Sequence, residues 1–98
     1  MKSKPNELPL PDAAGMDPNA SEVLRVWVAA GGQHVSLDPH AWDDPAAWGL
    51  LLVDLAKHVA NAHDQSGRMG YATALSRIRQ GFDAEWTSPT DKATGKLA

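Results

Sequence analysis

Residues 22–39, EVLRVWVAAGGQHVSLDP, hold two alternating runs on either side of a glycine pair, and that arrangement constrains the fold more than any other stretch. In the first run, residues 22–30, Leu24, Val26 and Val28 fall on one face and Val23, Arg25 and Trp27 on the other. This is the period of 2 that a strand produces, because successive side chains point to opposite faces. Gly31-Gly32 accepts positive φ at both positions, as a two-residue primed hairpin turn requires. A turn on these glycines sets a register with Val28 opposite Val35 and Val26 opposite Leu37 on the aliphatic face. The other face then pairs Ala29 with His34, Trp27 with Ser36, and Arg25 with Asp38. Pro39 ends the second strand, since proline has no N–H to give to a ladder.

Two Asp-Pro steps follow. Asp38-Pro39 predicts one short capped turn through Trp42. Asp44-Pro45 predicts the start of a long helix, with Asp44 as N-cap, Pro45 at the first helical position and Asp43 adding negative charge near the positive end of the dipole. The helix is expected over 45–65, ended by Ser66-Gly67. Trp48, Leu51, Leu52, Leu55, Val59 and Ala62 form one apolar stripe, and Ala46, Leu50, Val53 and Ala60 a second, interrupted by Lys57. Either the helix lies between the sheet and the next helix, or one stripe meets another chain. A second helix is expected over 71–86, with Tyr71, Leu75, Ile78, Phe82 and Trp86 on a single apolar face and Arg79 and Asp83 as an i,i+4 pair on its flank.

The expected organisation is a disordered arm over 1–20 with four prolines and no period, a single domain over 21–88, and a disordered polar tail over 89–98. The domain reads β-β-α-α, an α+β class with helices packed on one face of the hairpin. A lone two-stranded sheet is marginal and an open edge invites pairing, so a homodimer is expected, through the hairpin edge or its outer face, with the two hairpins forming one four-stranded sheet. The absence of cysteine removes disulfides and thiolate sites, and no apolar run has membrane-spanning or signal-peptide length, so the chain is expected in the cytoplasm without a membrane partner. A net charge of −3, with Arg and Lys alternating with acids, argues against nucleic acid as a partner.

Candidate chemistry is sparse. His34, His40, His58 and His63, with Asp38, Asp43, Asp54 and Asp64 nearby, supply ligand types without ligand spacing: His58 and His63 are five apart and do not share a helix face. No metal and no cofactor is expected. Ser36 beside His34 or Asp38 lacks the glycine-framed elbow of a nucleophile, and Gly31-Gly32 joins strands and does not open a helix over a phosphate. No catalytic residue is assigned. Trp48 and Trp86 fall on core stripes. Trp27 faces away from the aliphatic core beside Arg25, His34 and Ser36, a composition that suits an interface; stacking of Arg25 on Trp27, or cover by the N-terminal arm, accounts for it equally. Trp42 precedes the long helix and is placed to fold back towards Trp48. Two readings stand: a small homodimeric interaction or adaptor module using the hairpin face around Trp27, and a small-ligand binder or enzyme using the region of His40 and Trp42.

The runs VLRVWVAAGGQHVSLDPHAWDDPAAWGLLLVDLAKHVANAH and ALSRIRQGFDAEW resemble a small bacterial family known as a domain of unknown function, over residues 22–90, which implies a compact α+β domain of proteobacterial origin. The resemblance implies the fold and implies no activity, cofactor or catalytic residue.

Overall fold

A computed structural model describes residues 6–88. In chain order the elements are α1 (Asp12–Met16), β1 (Leu24–Ala29), β2 (Gly32–Leu37), α2 (Ala46–Gln65) and α3 (Tyr71–Thr87). An antiparallel two-stranded hairpin followed by two long helices is the expected α+β arrangement. The chain divides between Ala41 and Trp42 into a hairpin unit and a helical unit.

The hairpin corrects the expected register. The turn falls on Ala30-Gly31, with φ of 49° and 77°, and Gly32 becomes the first residue of β2. The pairs are Leu24 with Leu37, Arg25 with Ser36, Val26 with Val35, Trp27 with His34, Val28 with Gln33 and Ala29 with Gly32. This is a slip of two residues, so each side chain keeps its face and changes its partner. Under the glycine-pair register, Leu24 would oppose Pro39, which cannot donate. In the observed register Leu24 meets Leu37, and the Asp38 N–H closes the ladder on the Val23 carbonyl at 3.0 Å, one residue before the proline. A left-handed alanine costs about 1–2 kcal/mol, and the completed ladder and the Leu24–Leu37 pair offset it.

Within the arm, α1 is a single exposed helical turn begun by the Ala14 N–H on the Pro11 carbonyl at 3.0 Å, where no period signals structure. Residues 1–5 of the arm and the tail expected over 89–98 lie outside the described residues.

The Asp-Pro corner follows the expected grammar. Asp38 Oδ1 accepts the His40 N–H at 2.9 Å, and the Asp38 carbonyl accepts that of Ala41 at 3.3 Å. Asp44 Oδ1 accepts the N–H of Ala46, the first residue of α2, at 3.0 Å, a capping bond across Pro45. At the other end Gly67 takes φ of 75°, the Arg68 N–H reaches the His63 carbonyl and the Gly67 N–H that of Asp64, so the helix closes in a Schellman arrangement.

The helical unit is sealed by alanines. Ala60 and Ala74 are 0% and 2% exposed, and among the described residues they are the only buried ones. Close approach of two helix axes needs small side chains, so α2 turns Ala60 and half-buried Ala56 to α3, and the large aliphatics flank the contact. Two expectations are thereby corrected. Leu52, Leu55 and Val59, assigned to a core stripe, are exposed, whereas Ala60 of the second stripe is buried. Trp86, assigned to the core, is 76% exposed and stacks on Phe82, with ring centroids 5.5 Å apart.

Candidate functional site

The first candidate surface is the outer face and free edge of the hairpin. Arg25, Trp27, His34 and Ser36 share that face, with Trp27 directly opposite His34 and Arg25 opposite Ser36. Trp27 is half-buried. Arg25 does not depend on Trp27 for a partner: its Nη2 donates to Glu22 Oε1 at 2.7 Å and its Nε to Oε2 at 3.3 Å. The hydrogen bond to Glu22 and the negative charge beside it raise the guanidinium pKa further above its ordinary value. His34 lies with Nε2 2.9 Å from the Ala29 carbonyl; a carbonyl only accepts, so Nε2 carries the proton and Nδ1 is left as the acceptor. Ser36 is exposed.

Ladder parity shows what the edge of β1 offers. The bond from Asp38 to Val23 fixes 23/38, 25/36, 27/34 and 29/32 as the bonded pairs, because bonded and non-bonded pairs alternate in an antiparallel ladder. The N–H and C=O groups of Leu24, Val26 and Val28 therefore point away from β2, along the free edge. Residues 6–11 of the arm run opposite this edge across an open cleft of about 630 Å3, lined by Leu8 and Leu10 on one wall and β1 on the other. Among the described residues no backbone hydrogen bond joins the arm to β1. The aliphatic face of the hairpin is also uncovered within its unit, with Val28 81% exposed.

The second candidate surface is a groove between α2 and α3. Closed at the Ala60–Ala74 end, the helix pair leaves a cavity of about 610 Å3 between the N-terminal half of α2 and the C-terminal half of α3. Trp48, Leu52 and Val53 face Ile78, Phe82 and Trp86 across it, with Lys57, Arg79 and Asp83 on its rim. Gly49 lies in its wall and leaves it open: a Cβ there would meet nothing within 4 Å. Arg79 Nε donates to both Asp83 carboxylate oxygens at 3.0 Å. Sequence reasoning missed this groove because periodicity identifies an apolar face and not whether a neighbour fills it; the signal was the pairing of small residues at one end with Phe82 and Trp86 at the other.

His40 and Trp42, the third expected surface, fall on either side of the boundary between the two units. His40 belongs to the capped turn of Asp38, whereas Trp42 belongs to the helical unit and packs edge-on against Trp48 with centroids 5.1 Å apart. His63 carries a buried Nδ1 with no hydrogen-bond partner among the described residues. No group of three or more histidine, aspartate or glutamate side chains among the described residues stands close enough to hold a metal ion, and none of their helices is long and apolar enough to cross a membrane.

The family model for a domain of unknown function, DUF5076, matches residues 7–90, and the chain belongs to that family. A solved structure described as a "putative pyruvate dehydrogenase" from the photosynthetic bacterium Rhodopseudomonas palustrus CGA009 is similar over 99% of both chains, at 38% identity and a TM-score of 0.77. A comparison with curated proteins gives no match.

Proposed function

We propose that this chain is a small interaction module of the bacterial cytoplasm that works as a homodimer, two copies pairing β1 edge to β1 edge into a four-stranded sheet. The outer face around Trp27, with Arg25, His34 and Ser36, is left for a protein partner, since aromatic and arginine side chains are the groups that interfaces concentrate. The observation that carries this reading is the edge itself: Leu24, Val26 and Val28 turn their backbone donors and acceptors outward beside an open cleft. An unpaired edge of this kind is a template for another strand, and two antiparallel copies satisfy each other's groups under a two-fold axis. The net charge of −3 supports a protein over a nucleic-acid partner.

Val26→Pro tests it. The Val26 N–H points to the edge, so proline there removes an outward donor and no β1–β2 bond, a position edge strands tolerate. Light scattering is expected to show a dimer for the parent chain and monomer for Val26→Pro at equal concentration, with the hairpin's far-UV signal retained. A dimer of undiminished affinity in Val26→Pro would remove the edge from the account.

A further inference from the structure

The groove between α2 and α3 lacks cover of a different kind from the hairpin edge. We infer that it is a self-association surface, occupied by the same groove of a second copy, so that two α2–α3 pairs close over one another. This rests on the homodimer reading and adds a surface to it. Three observations select a second copy as the occupant. The first is extent. The apolar surface runs beyond the cavity to Leu50, which is 70% exposed on α2 and no part of the lining. A small ligand held in about 610 Å3 would leave Leu50 wet.

The second is area. Helices of 20 and 17 residues lying side by side present a face about 25 Å long and roughly 18 Å wide. Flat, that face is about 450 Å2; corrugation by side chains brings it towards the roughly 800 Å2 per partner of a standard interface, and apolar patches of this size on a monomer are often functional. The third is charge. The rim carries both signs, Lys57 on α2 and the Arg79–Asp83 pair on α3. A mixed rim can be complementary to its own two-fold image, whereas a rim of one sign would repel it. A second copy is moreover present whenever the chain is made, which suits a unit that by itself buries nothing larger than alanine among the described residues.

The stacked Phe82 and Trp86 are the anchors of this contact, and exposed Val53 lies across the groove from them. Trp86→Asp and Val53→Asp are therefore each expected to raise the dimer Kd by about 30-fold or more, the loss that defines a hot spot, with helicity unchanged by circular dichroism. If either variant loses helicity, Lys57→Cys decides: in a chain without cysteine, a short thiol cross-linker is expected to give covalent dimers from this exposed rim position. Several results would overturn the inference. Undiminished dimer affinity in folded Trp86→Asp and Val53→Asp, with dimer lost in Val26→Pro, would confine self-association to the hairpin edge. Absence of Lys57→Cys cross-links in a solution shown to be dimeric would do the same. Binding of 8-anilinonaphthalene sulfonate to the parent dimer, abolished by Trp86→Asp, would show the groove open and fit for a small apolar anion. A parent chain that is monomeric at every concentration would instead defeat the homodimer reading itself.

Discussion

The hairpin unit and the helical unit are incomplete in opposite ways. The hairpin has an aliphatic face and a capped exit, but three residues of β1 direct backbone groups to an edge that no strand occupies. In the helical unit the main chain is capped at Asp44 and closed at Gly67, yet among the described residues the helices fully bury only Ala60 and Ala74. A sheet exports its unmet hydrogen bonds sideways, whereas a helix satisfies its own and exports only apolar surface. One unit thus calls for a strand and the other for an apolar face, and a second copy of this chain carries both.

Substitutions at the sealed positions are the strongest way to break this contrast. Ala60→Leu inserts three carbons where the helices touch and is expected to cost about 1–3 kcal/mol by denaturant unfolding, whereas a cost near zero would mean that the helix pair is loose throughout. In the hairpin, Gly31→Ala forces an L-residue to φ of 77° and is expected to cost about 1–2 kcal/mol. The neighbouring Ala30→Asn, at φ of 49°, should be neutral or stabilising in the same assay, because asparagine suits the first position of this turn. If Gly32→Ala, at a residue without positive φ here, cost as much as Gly31→Ala, the glycine pair would be the turn after all. At the corner, Asp44→Ala removes the bond to the Ala46 N–H and should cost about 0.5–2 kcal/mol. No change in stability would place the start of α2 elsewhere.

Much of the fold was legible because it is local. Alternation around the glycines gave both strands and their faces, Asp44-Pro45 and Ser66-Gly67 gave the ends of α2, and Trp42 was placed to pack on Trp48. What was not legible depended on comparing alternatives or on neighbours. The turn moved to Ala30-Gly31 because ladder closure before Pro39 outweighs one left-handed alanine, a balance that turn preference alone does not contain. Trp86 sits on the apolar stripe of α3 and yet is exposed, because a stripe records which residues favour burial and not what covers them. The candidate site was legible only as composition: Arg25, Trp27, His34 and Ser36 do share a face, but the bond from Arg25 to Glu22 and the cleft beside β1 depend on three-dimensional placement.

The claim common to both units is that a second copy completes the fold, and the concentration dependence of thermal unfolding tests it most directly. Followed by far-UV circular dichroism across a hundredfold range of protein concentration, the midpoint is expected to rise steadily with concentration, as it must when association favours the folded state. A midpoint that stays constant across that range would contradict the account.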